Sequence, residues 1–207
     1  MTVLNGRYLL NKMRYNLSEL KDIIRNRRSI KPENFSGRKV LKDQVLEILN
    51  NAIWAPTHGL TQPWHFTVFA DEELVALGQF MAEHYRSSTP SNEFLQKKYD
   101  KLLNRPALAS VVIAIGMKRQ LIEKIPEIEE IEAVACAVQN MYLTATAYGI
   151  APYWSSGAVS YSKEMKAYLN LGEKDKCLGL FYLGYTKEEL PTSHRKPLEY
   201  HSEWRGM

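Results

Sequence analysis

Three short stretches hold more cationic, polar and aromatic side chains than a solvated turn requires: RNRRSIK at 25–31, APTHGLTQPWHF at 55–66 and GIAPYWSSGA at 149–158. In the first, Arg25, Arg27, Arg28 and Lys31 surround Ser29. Arginine offers planar, permanently charged donors that suit a phosphate, and a serine hydroxyl adds one more bond. The same cations also suit the negative end of a helix dipole. In the second, His58 fits a base, a ligand donor or a structural histidine. Thr57, Gly59 and Thr61 permit close backbone approach, Gln62 both donates and accepts, and Trp64 reads as a core anchor. In the third, Ser155, Ser156 and Gly157 follow Trp154 in a loop whose backbone N–H groups can face a ligand. The alternative there is an ordinary strand-to-helix turn capped by Ser160 or Ser162. A fourth segment, SHRKP at 193–197, adds Arg195 and Lys196 and says little alone.

No side chain is nominated as an acid, base or nucleophile. The chain has no GxSxG, no HExxH, no Ser, His and Asp order and no close carboxylate pair. GxGxxG and GxxxxGK[ST] are also absent, which argues against Rossmann and P-loop nucleotide binding. Cys136 and Cys177 lack CxxC or metal-like spacing and read as small buried hydrophobes, so neither a disulfide nor a metal site is expected. Where side chains supply no reactive group, a cofactor can carry the chemistry while the protein binds and tunes it.

The elements that must position these stretches follow from periodicity. Ser18 marks the start of a short helix that ends near RNRRSIKP, leaving residues 29–38 as a cationic loop. Val45, Leu46, Leu49 and Ile53 define a second helix over 43–54, with Asp43 as N-cap or first-turn acid and Pro56 as its stop. HFTVFA reads as a strand, DEELVALGQFMAEHYR as a helix, 91–104 as another helix and ASVVIAIGM as a buried strand. Over 131–148 apolar residues recur at helical spacing, but the remaining faces are largely apolar too. Such a helix must be covered on every side, inside a domain or at a large subunit interface. IAPYW is a short extended piece, YSKEMKAYLNLG a helix closed by Gly172, and KCLGLFYLGY an apolar strand. The fold class is α+β, since the strands are too irregularly interspersed for a repeating βαβ array.

With 207 residues, one domain over 17–207 preceded by an arm at 1–16 is the expected organisation. A net charge of +4 is too small to define a nucleic-acid stripe, although basic residues gather near the N-terminus. The acidic stretch Glu123, Glu127, Glu129, Glu130 and Glu132 reads mostly as solvated helix face. No run approaches the roughly 20 apolar residues that a membrane helix needs. A soluble, cytoplasmic protein is the expectation.

Taken together and in order, these segments resemble the nitroreductase family of FMN-dependent oxidoreductases. The matching features are RRS at 27–29 after a helix, AP and then QPWHF within 55–66, the apolar helix running into GI, the WSSG loop, and RKPLEY at 195–200. The resemblance spans about residues 17 to 204 and looks closest to a small branch with His at the second place after AP. It implies an antiparallel sheet flanked by helices, an intertwined homodimer, and FMN held at the interface. Position by position, it implies that Arg27, Arg28 and Ser29 hold FMN phosphate and ribityl oxygens, with Arg195 adding charge and Lys31 assisting. Pro56, Thr57, His58 and Gln62 would reach the flavin of the other subunit. Trp154, Ser155, Ser156 and Gly157 would lie beside the ring, with an N–H near Ser156 directed at flavin N5. Relatives with arginine where Ser155 stands leave the choice between NADH and NADPH open.

The implied activity is a ping-pong transfer of electrons from NADH or NADPH to an electron-poor acceptor such as a nitroaromatic or quinone. The alternatives are a specialised relative that dehalogenates, dehydrogenates or fragments flavin, and a flavin-binding protein without turnover. A basic nucleic-acid-binding module ranks last.

Overall fold

The computed structural model describes residues 15–206, so the arm expected over 1–16 lies outside them except for Tyr15 and Asn16. Asn16 serves the first helix, α1 (Leu17–Asn26): its side-chain oxygen accepts from the N–H groups of Ser18 and Glu19. A four-stranded sheet follows, β1 (Trp64–Ala70), β2 (Val111–Met117), β3 (Ala151–Ser155) and β4 (Lys176–Gly184), in the order β1-β2-β4-β3. Every pairing is antiparallel, as an α+β reading requires.

Helices cover both faces, which is why β2 and most of β4 are continuous apolar runs without polar alternation. On β2, Val111, Ile113, Ile115 and Met117 pack with α2 (Lys42–Ala52) and α5 (Glu127–Ala147). Val112 and Ala114 point the other way, toward α3 (Glu72–Ser88), α4 (Gln96–Asn104) and α6 (Lys163–Tyr168). Each fully buried Ile or Val of this kind contributes about 1.5–3 kcal/mol relative to exposure.

Several boundaries move. Asp43 lies inside the first turn of α2, and the N–H of Leu41 ahead of it is taken by the Gln44 side chain. Residues 91–93 form a turn and Leu95 is extended, so α4 begins only at Gln96. The helix expected over 161–172 is confined to Lys163–Tyr168, with Ser162 accepting from Met165 N. The long helix starts earlier than its apolar period, at Glu127, because Glu127, Glu129 and Glu130 suit the positive end of its dipole.

α5 buries Ala133, Val134, Ala137, Val138, Met141, Tyr142 and Ala145 at helical spacing. Its outward side, including Ala135, Cys136, Gln139 and Ala147, is exposed in the single chain. Cys136 is thus no buried hydrophobe; its place on α5 turns it away from the sheet, whereas Cys177 on β4 is buried. Glu130 departs from expectation in the opposite sense and is 1% exposed.

Candidate functional site

β3 lies at the edge of the sheet, and alternate residues of an antiparallel edge strand turn their backbone polar groups outward. The carbonyl of Pro152 accepts from Ile30 N at 3.0 Å. Two residues on, Trp154 N donates to the Tyr142 hydroxyl oxygen at 2.8 Å. The amide of Ser156, next in the alternation, has no acceptor among the described residues. The chain itself therefore closes the first two positions of the edge and leaves the third open.

Tyr142 joins this edge to the first cationic stretch. Its hydroxyl lies 3.1 Å from Ser29 Oγ. Because it accepts from Trp154 N, its own proton is free for Ser29. The Arg27 guanidinium stands over the Tyr142 ring, 4.9 Å from its centroid, with one nitrogen 3.4 Å from Ser29 Oγ. Arg27 reaches that place because it ends α1: its N–H still bonds Ile23 O, while its backbone has already turned extended. A cation, a hydroxyl and a free amide thus share one flank of α5.

On that flank, next to the Ser156 end, lies a cavity of about 280 Å3 lined by Ile131, Ala135, Trp154, Ser156, Tyr161 and Leu178. The sheet register shifts between Ile115 and Gly116, and Gly179 takes φ +127° next to Leu178. A side chain at 179 would meet Ser155 O and Trp154 Nε1, so glycine lets the indole lie flat on the strand. The buried Nε1 of Trp154 has no partner. This apolar slot, with the free Ser156 amide in its lining and the Arg27 cluster further along the same flank of α5, suits a flat ring joined to an anion.

The other cations are placed differently. Arg28 gives its donors to the carbonyls of Pro191, Arg25 and Arg27, tying the C-terminal segment to the end of α1. Lys31 is exposed beside the short helical turn Pro32–Asn34. Arg195 bonds Ser193 Oγ and His194 O in an exposed tail, and within one chain no hydrogen bond or ion pair brings it to Arg27.

The corner after α2 sits at the opposite end of α5. Asn51 donates to Thr144 Oγ1 and accepts at its carbonyl from Asn140, which fixes where α2 stops. Pro56 then leads into a short turn at His58–Leu60, closed by Thr57 Oγ1, which pairs with Thr61 Oγ1 and accepts from Gln62 N. Gly59, Leu60 and Gln62 take φ of +58°, +53° and +46°. Leucine and glutamine adopt such angles at a cost, and stored backbone strain of this kind gathers at binding sites. His58 Nδ1 lies 2.5 Å from Glu129. Thirteen residues of helix, about 20 Å at 1.5 Å each, separate Glu129 from Tyr142. Within a single chain the corner and the Arg27 cluster therefore stand far apart.

Sequence reasoning missed two anchors. Tyr142 counted only as an apolar position of the long helix, although a buried phenol demands a partner for its hydroxyl. Glu130 pairs with Arg119, whose guanidinium also donates to Ile125 O at 2.7 Å. This pair braces the loop before α5. His65 on β1 is held below the usual histidine range by burial, with Lys118 adding to the effect. Burial pushes the Cys177 thiol up, which makes it a poor nucleophile.

Among the described residues no helix is long and apolar enough to cross a membrane. The profile of the nitroreductase family matches residues 24–185. YdjA of Escherichia coli K12, provisionally named an NAD(P)H nitroreductase, is 31% identical over 155 residues, covering 75% of this chain and 82% of its own. A nitroreductase-like family protein from Bacillus cereus superposes with a TM-score of 0.78 at 25% identity, over 93% of this chain and 98% of its own. The FMN-dependent nitroreductase NfnB of Mycobacterium smegmatis, solved with NADPH, matches at TM-score 0.69 and 17% identity, over 91% and 99% of the two chains, a likeness of fold.

Proposed function

The chain belongs to the nitroreductase family, and from that premise we propose that it is an FMN-dependent oxidoreductase using NADH or NADPH. The observation that carries this reading is the Tyr142 hydroxyl, which ties Ser29 and Trp154 together, so that Arg27, stacked on the Tyr142 ring, stands on the same flank of α5 as the apolar slot lined by Trp154 and Ser156. The donor set fits FMN: a guanidinium and a hydroxyl for its phosphate and ribityl chain, a flat slot beside Trp154 for its ring, and one N–H for a ring nitrogen. Bound FMN supplies the electron carrier that NAD(P)H reduces and an electron-poor acceptor, such as a nitroaromatic or quinone, re-oxidises in a ping-pong cycle.

The residues present position and tune that group. Arg27 and Ser29 hold the anion, with Lys31 and Arg195 adding charge. Arg28 acts by pinning the C-terminal segment across the end of α1. The Ser156 amide stabilises negative charge arriving at its acceptor without any titrating side chain. Trp154 shapes the slot, and Ser155 and Gly157 set the course of the loop that carries the Ser156 amide.

A second copy of the chain completes the site. The outward face of α5 is uncovered, and the segment 186–206 exposes Leu190, Leu198, Tyr200 and Trp204. Buried against a partner in a homodimer, these surfaces would be shielded, and the Pro56, Thr57, His58 and Gln62 corner of one subunit would meet the FMN of the other.

The test is the absorbance spectrum of the purified protein, followed by anaerobic titration with each nicotinamide. The expected result is a yellow protein that bleaches with NADH or NADPH and recovers on adding a quinone. Protein that takes up no FMN overturns the cofactor assignment. Yellow protein that stays oxidised with both nicotinamides overturns the activity and leaves a flavin-binding protein.

A further inference from the structure

A larger cavity, about 530 Å3, opens on the other side of the 155–157 loop, between the C-terminal half of α3, α4 and residues 158–160. Its walls are held close: a side chain at Gly78 of α3 would collide with the Leu103 carbonyl of α4, so the two helices pack at backbone distance. The buried floor is apolar, formed by Met81, Val159, Leu180 and the ring of Tyr182. Around it stand Lys98, Lys101 and Arg105, and no carboxylate lines the cavity.

The charge is only partly spent elsewhere. Glu33 receives Arg105 at 3.1 Å and lies 3.9 Å from Lys101, so one carboxylate serves two cations. Lys98 rests over the Tyr85 ring, and His84 on the wall faces Glu164 at 3.7 Å. Arg105 is the deepest of the cations, its side chain 11% exposed and stacked over Tyr153. Its Nε is buried and has no partner. Ser160, itself 5% exposed, also lines the cavity. Buried donors are ordinarily satisfied, so the unmet Arg105 Nε on the wall of a cationic cavity points to a missing acceptor.

We infer that this cavity binds a small organic oxyanion with an apolar ring. The ring lies on Met81, Leu180 and Tyr182, and the oxyanion takes donors from Arg105, Lys101 and Ser160. Carboxylates and phosphate monoesters share this chemistry, and planar two-oxygen acceptors match the guanidinium fork. The loop Ser155, Ser156 and Gly157 lines this cavity on its other side, but neither Arg27 nor Trp154 takes part.

Calorimetric titration of the FMN-saturated protein with benzoate, phenyl phosphate and benzyl alcohol tests the assignment. Binding of either anion, with benzyl alcohol at least tenfold weaker, is expected; which anion is tighter identifies the head group. Arg105→Met is expected to weaken the preferred anion about tenfold or more. Because that change also removes a buried stack, two exposed positions provide independent tests. Lys101→Met is expected to weaken binding severalfold, and Ala158→Trp, which fills the cavity mouth, to abolish it. Failure of both anions to bind, equal binding of benzyl alcohol, or unchanged affinity in Ala158→Trp would overturn the proposal. So would anion binding by the FMN-free protein that saturation with FMN removes, which would place the anion in the flavin site.

Discussion

The two ends of α5 are fixed by different means. At its C-terminal half, Tyr142 links Ser29, Trp154 and Arg27 through a phenol 8% exposed, so this part of the candidate site rests on the core. At its N-terminal turn, the adjacent Glu129 and Glu130 diverge: Glu130 is sealed against Arg119, while Glu129 faces outward to an exposed His58. The corner held by that outer contact carries left-handed angles at Leu60 and Gln62. One end is preorganised by burial. The other is strained and half-open, with geometry that a partner surface has to complete.

If that contrast is right, removing each anchor should have a graded effect. The largest belongs to Glu130→Ala, which leaves Arg119 charged and buried; a loss of about 3–5 kcal/mol is expected in denaturant unfolding. Next comes Arg27→Ala, expected to weaken FMN binding roughly ten- to a hundredfold by fluorescence titration, with Arg25→Ala near wild type. Equal dissociation constants for the two variants would remove Arg27 from the site. Tyr142→Phe takes away one hydroxyl serving two partners, and a loss of about 1–3 kcal/mol in stability should accompany weaker FMN binding. At the other end the sign reverses: Gln62→Gly relieves a left-handed angle and should gain up to about 1 kcal/mol while weakening FMN binding. A stability loss there would show that the corner is unstrained. His58→Ala should change stability least, by about 1 kcal/mol or less, since its pair with Glu129 is exposed.

The sequence made much of this legible because the strong signals are local. The α+β class followed from apolar runs and their spacing, its antiparallel sheet followed from the family resemblance, and the Pro56 stop and Ser162 cap have local causes. RRS and WSSG stood out by composition, yet nothing local says that a tyrosine over a hundred residues from Ser29 would join them. Glu130 was hidden for a related reason: next to Glu129 it looks like another solvated acid, and only the return of Arg119 from the loop after β2 buries it. Cys136 deceived in the opposite direction, because an apolar neighbourhood in sequence is not a covered face in one chain. Arg28 shows the limit of motif reasoning: side by side with Arg27, it turns to backbone carbonyls and not to Tyr142 and Ser29.

The β3 edge also bears on how the chain avoids strand addition there. An exposed strand edge offers a ladder of unpaired groups onto which another chain can crystallise as an extra strand, the first step toward fibrous aggregates. Here Ile30 and the Tyr142 hydroxyl occupy successive rungs of β3, so an incoming strand would find a single vacant donor at Ser156. One rung is too few to seed strand addition. The chain can therefore leave that amide open for a ligand without leaving the whole edge sticky.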